Sequence, residues 1–155
     1  MKFITLSGIA VSAVLAGAIG FTALAYAADA DVIAARRGLM KANGTAAKAI
    51  GGMLDGSAKF DAATAGDGAK AMVAAGHGFG AEFDKNFPDS TMTGDTKASP
   101  DIWKNKDDFK KLAMAFEADA TAAVAAAAKG EGDFKAAAGK VFGNCKGCHE
   151  KYKLK

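Results

Sequence analysis

The chain has 155 residues and a formal net charge of +3. That length admits one domain with a real core and not two. The charge is too small to mark a nucleic-acid binder or a general affinity for membrane surfaces.

The N-terminus reads as an export leader. Lys2 supplies a positive charge, the stretch from Phe3 to Gly20 carries no charge, and Ala25-Tyr26-Ala27 is a small-x-small cleavage site. Cleavage after Ala27 assigns residues 1–27 to a removed secretory signal peptide and 28–155 to the working domain. The competing reading is an uncleaved membrane anchor, because the uncharged run approaches the length that spans a bilayer. The cleavage site favours removal, which leaves no membrane span in the mature protein.

The mature part is rich in alanine, poor in proline and thin in β-branched runs, so helix is expected nearly throughout. Four helices are predicted. The first runs from about Ala30 to Leu54, with Ile33, Arg36, Met40, Ala47, Ile50 and Leu54 sharing one face. It contains Gly44, Gly51 and Gly52, each costing about 1 kcal/mol relative to alanine, which marks a frayed end or a close approach by another backbone or a cofactor. The second covers Asp61 to about Phe79, after the turn-prone Asp55-Gly56-Ser57. Gly80 to Ser99 reads as a long crossover loop with Phe79, Phe83 and Phe87 tucked inward. In the Gly76-His77-Gly78-Phe79-Gly80 segment His77 is expected to be a loop or helix-end histidine.

The third helix is expected to start at Ser99 as N-cap, with Pro100 in its first position and Asp101 complementing the dipole, and to run to Gly130. Trp103 reads as core and the mixed run Lys104 to Lys111 as a solvated face. After Gly130-Glu131-Gly132, Asp133 is expected to cap the last helix. Its inward positions are Phe134, Ala138, Val141, Phe142, Cys145, Cys148, His149 and Tyr152.

Cys145-Lys146-Gly147-Cys148-His149 spells C-x-x-C-H, the attachment signature of a c-type haem. Residues i, i+3 and i+4 share one helical face, so both thiols can bond haem vinyl carbons while His149 turns toward the iron. A thioredoxin-type pair would need a strand entering a helix N-terminus, and few residues follow Cys148. Structural zinc wants four ligands, and the chain adds only the distant His77. A plain disulfide is open to unloaded protein. Haem attachment agrees best with the leader, because such attachment in bacteria takes place outside the cytoplasm, and it places the protein in the periplasm. Both cysteines are then used, so the fold rests on packing and the cofactor.

A four-helix chain with this motif near its C-terminus resembles the class II cytochromes c, the cytochrome c′ family. The resemblance covers essentially all of the mature chain: Arg36 and Met40 on the first helix, the Ser99-Pro100-Asp101-Ile102-Trp103 helix start, and Cys145 to His149 followed by Tyr152. Leu39 to Gly44 and Phe87-Pro88-Asp89-Ser90 look most like the low-spin, cytochrome c-556 branch. The resemblance implies an all-α four-helix bundle with one haem c per chain, held by two thioethers at Cys145 and Cys148. It implies His149 as proximal iron ligand and Met40 as distal ligand. A soft thioether favours ferrous iron and suits an electron carrier. The bland reading of Met40 is a flexible filler above an open iron, which would make the protein a high-spin binder of nitric oxide or carbon monoxide. Met53, Met72, Met92 and Met114 are left as core or loop residues.

Arg36, one turn before Met40, is a candidate partner for a haem propionate, against the alternative of a surface arginine beside Arg37. Lys146, Lys151, Lys153 and Lys155 either oppose the helix dipole or form a basic rim that steers an acidic redox partner. The family implies that homodimers through the first two helices are common; Gly51 and Gly52 would permit such contact but serve a monomer equally well. No catalytic set for substrate chemistry is evident, so an enzyme is not expected.

Overall fold

The computed structural model describes residues 17–155, with side chains from 29 onward. Most of the leader expected at 1–27 lies outside the described residues. Alanine-rich sequence forms four long helices: α1 (Gly17–Asp55), α2 (Ala62–Phe79), α5 (Lys106–Ala127) and α6 (Glu131–Tyr152). The short helices α3 (Phe83–Asn86) and α4 (Asp101–Lys104) and a 3-10 turn (Asp89–Thr91) lie in the connection between α2 and α5. Among the described residues there is no strand beyond an isolated bridge between Ala98 and Lys153. No described helix is long and apolar enough to cross a membrane.

Three boundaries differ from expectation, each for a local reason. Helix α1 extends N-terminal of Ala30, because the preceding stretch is alanine-rich and holds no proline. The expected third helix is two helices. Asn105 breaks it at φ −130°, ψ 45°, where its side-chain amide donates to the Asp101 carbonyl at 3.0 Å and competes with the backbone ladder. At its start the expected cap holds: Pro100 has helical dihedrals and the Ser99 hydroxyl accepts the Asp101 N–H at 3.2 Å. The last helix is not capped by Asp133. It begins at Glu131 after Gly130, whose φ of +126° suits glycine, and Asp133 sits in the first turn where its charge complements the dipole.

Helix α2 starts as predicted, with Asp61 accepting the Thr64 N–H at 2.7 Å. Its last turn includes His77, which is therefore the helix-end histidine of the two expected alternatives, and Gly76 to Phe79 is helix. The glycines there permit close approach. A Cβ on Gly76 would lie 2.8 Å from the Glu117 Cβ, and one on Gly78 would lie 2.7 Å from Leu39 Cδ1. His77 faces Glu117 at 3.4 Å. Gly52 packs against the Ser57 turn, so it serves the monomer, whereas Gly51 has open space around it.

α1 packs on α2, α2 on α5 and α5 on α6. Their shared core is built from alanines with Ile50, Met53, Met72, Phe116, Phe134 and Val141. A second, aromatic core joins Phe83, Phe87, Ile102, Trp103, Phe109 and Tyr152. Phe83 and Phe87 are buried as expected, and Trp103 is core with its indole N–H donated to the Phe87 carbonyl at 3.0 Å. Met114 is neither core nor loop: it lies on the solvent face of α5.

Candidate functional site

The aromatic core does not close on itself. Beside it lies a cleft with room of about 230 Å³, and next to that a smaller pocket of about 50 Å³. Met40 of α1 and Cys148 and His149 of α6 border both. Cys145 borders the smaller pocket. Helix α6 continues through Tyr152, so the one-face arrangement expected of Cys145, Cys148 and His149 is realised without a break. The segment before Ser99 is tied to the end of this helix: the Ser99 N–H donates to the Tyr152 carbonyl at 2.9 Å and the Leu154 N–H to the Lys97 carbonyl at 2.8 Å.

Cys145 and Cys148 form no disulfide, and burial pushes both thiols up from the ordinary value. That is opposite to the lowered value of a reactive thioredoxin-type pair. His149, expected to face inward, is exposed at the cleft; its partial burial, helped by Lys153, lowers the imidazole from its usual value, which favours the neutral ring with a nitrogen lone pair available to a metal. Among the described residues no three His, Cys, Asp or Glu side chains converge as a metal cluster.

Arg36 is buried rather than a surface arginine, and it borders the cleft. Its guanidinium donates to the Asn86 carbonyl at 3.1 Å, to the Thr91 hydroxyl at 2.8 Å and to the Thr91 carbonyl at 3.2 Å. It also lies over the Phe87 ring at 4.8 Å. These contacts commit three of the five N–H donors of an arginine. No carboxylate faces it among the described residues, and burial pulls its proton affinity below the usual value. Arg36, Arg37, Lys97 and Lys153 border the cleft and no acidic side chain does, although Arg37 is paired with the Asp95 carboxylate. Phe79, Phe87, Ile102, Phe109 and Tyr152 make the remaining wall largely apolar.

This donor set fits a haem. An apolar, aromatic wall suits a macrocycle, cations without acids suit two propionates, and two thiols with a neutral imidazole suit attachment and ligation. The basic rim expected from four lysines is rearranged. Lys151 pairs with Asp108 at 3.3 Å and Lys146 faces Glu150 at 3.9 Å. Lys153 remains at the cleft, joined by Lys97, whose ammonium donates to the Lys155 carbonyl at 2.9 Å, and by Arg37, which pairs with Asp95. Met40 is 37% exposed, although Ile33, Arg36 and Ile50 on the same helical face are buried. Asn43, Asn86 and Thr91 were not anticipated. Asn43 had a signal, a polar residue set in an apolar helical stripe; Thr91 and Asn86 lie in the connection, where no period exists to read.

A family model described as Cytochrome C' matches residues 31–153. The chain is 41% identical over 133 residues to cytochrome c′ of Rhodopseudomonas palustris, covering 83% of this chain and 85% of the relative. The solved structure of Rhodopseudomonas palustris cytochrome c′ is similar with a TM-score of 0.72 at 40% identity, covering 81% of this chain and 97% of that one. A cytochrome c-556 of Agrobacterium tumefaciens is 32% identical over 120 residues, covering 77% of this chain and 94% of the relative. A nitric oxide-bound ferrous variant of cytochrome c′ from Alcaligenes xylosoxidans has a TM-score of 0.69 at 26% identity, covering 82% and 96%.

Proposed function

The chain belongs to the cytochrome c′ family and carries one covalently attached haem c, and from that premise we propose that it is a periplasmic one-electron carrier. Cys145 and Cys148 are its thioether anchors, His149 its proximal ligand and Met40 its distal ligand. When bound, the haem supplies a ferric–ferrous couple. The observation that carries this reading is the placement of Met40: an apolar side chain left exposed within a cleft that it shares with His149. A thioether held there favours the ferrous state.

The other side chains have supporting roles. The aromatic wall of Phe79, Phe87, Phe109 and Tyr152 keeps water from the reacting centre. Arg36 has donors to spare and no anionic partner, which suits a propionate. Lys97 and Lys153 give the cleft mouth a positive field that steers an acidic redox partner. The leader at 1–27 takes the chain to the periplasm and is removed after Ala27.

The second reading is a gas binder, with His149 as the sole protein ligand and Met40 as packing. It is favoured by the nitric oxide-bound cytochrome c′ among the similar structures, and by the higher identity to a cytochrome c′, 41%, than to a cytochrome c-556, 32%. Absorption spectra of the loaded protein, oxidised and reduced, with and without carbon monoxide, separate the two. The carrier gives a sharp low-spin reduced α band, a ferric sulfur-to-iron charge-transfer band and indifference to carbon monoxide, and Met40→Ala abolishes them. A broad high-spin spectrum that shifts with carbon monoxide establishes the gas binder.

A further inference from the structure

Asn43 sits three residues after Met40 on α1 and borders the smaller pocket together with Met40, Cys145, Cys148 and His149. It is 7% exposed, and its side-chain amide nitrogen lies 3.8 Å from the Met40 sulfur, within reach of a hydrogen bond to a thioether. Its Oδ1 is the one buried side-chain nitrogen or oxygen among the described residues with no hydrogen-bond partner. Both features are unfavourable. Asparagine is a poor residue for a helix interior, and an orphaned buried carbonyl forfeits its hydration without return. A leucine would cost neither, so packing alone gives no reason for the amide. Such local conflicts are found where a side chain serves a site.

We propose that Asn43 is the positioning residue of the distal face: its amide N–H donates to the Met40 thioether and holds that sulfur toward the cleft. The proposal rests on the reading of Met40 as distal ligand. The i, i+3 spacing puts the two side chains together on the helix surface without any movement of the backbone. Only one amide orientation works, since the other would set the oxygen against the sulfur lone pairs. A donated N–H also withdraws electron density from the sulfur, which weakens its support of ferric iron and raises the potential. Asn43 therefore both aims the ligand and tunes it.

The test uses the haem-loaded protein and two substitutions, Asn43→Leu and Asn43→Ala. The wild-type charge-transfer band reports Met40 ligation by itself. With that band present, both variants are expected to shift or weaken it, to lower the midpoint potential, and to raise the ferrous affinity for carbon monoxide about tenfold. A band, potential and affinity unchanged in both variants overturn the role of Asn43 while leaving Met40 as ligand. A wild type without the band overturns the ligation reading and this proposal with it. Nuclear magnetic resonance of the ferrous wild type adds a readout that needs no substitution. Slowly exchanging Asn43 side-chain amide protons close to the Met40 methyl support the bond, and rapid exchange with no such proximity overturns it.

Discussion

The two cores of this bundle are made differently. Where α1, α2, α5 and α6 share their alanine-lined core, every layer is closed: Ala65, Ala69, Ala120 and Phe134 have no exposed surface, and small residues let the helices approach closely. At the aromatic core beside α4 and the end of α6, Met40 is exposed, Arg36 is a buried cation without an anion, and Asn43 Oδ1 lacks a partner. The first region is complete as protein. On the proposed reading, the second is completed by a group that is apolar, anionic at its edge and able to accept imidazole and thioether ligands. Unsatisfied chemistry concentrated at one end of an otherwise closed bundle is the signature of a site.

That contrast can be broken at either end. The largest effect belongs to Cys145→Ala combined with Cys148→Ala, which should abolish covalent haem, read as loss of haem stain on a denaturing gel. In the closed core, Phe134→Ala should cost about 3–5 kcal/mol in urea unfolding. It should leave the spectrum of the folded, loaded protein unchanged. Thr91→Val removes the hydroxyl that accepts from Arg36 at 2.8 Å and strands a buried cation's donor, so it should cost about 1–3 kcal/mol by the same assay. The smallest effect concerns alkaline pH. Burial, with the hydrogen bond to Asp108 at 2.6 Å, pushes the Tyr152 hydroxyl from 10.0 up to about 12. The unfolded chain releases that proton first and so binds fewer protons across this window, and stability falls as pH rises through it. Melting temperature against pH should show that slope in the wild type and a shallower one in Tyr152→Phe.

Much of this was legible in the sequence because it rests on period and spacing. The helix start at Ser99, the start of the second helix near Asp61, the inward Phe83 and Phe87, and the cysteines on one helical face follow from local rules. Asn105 was missed because a side chain that competes with its own backbone gives no periodic signal. The Gly76–Glu117 approach shows only when two helices distant in sequence meet. Arg36 is the instructive case: its spacing before Met40 pointed to the cleft, but its burial depends on Thr91 and Asn86, which come from an irregular connection. The basic rim was likewise only half visible, since Lys97 reaches the cleft through the tie between residues 97–99 and the chain's end.

The central claim is that Met40 and His149 jointly ligate the iron of one haem. Electron paramagnetic resonance of the ferric, haem-loaded wild type and of Met40→Ala tests it most directly. The account predicts a low-spin signal in the wild type that becomes high-spin in the variant. A high-spin signal in the wild type, unaltered by Met40→Ala, would contradict it and leave the distal face open.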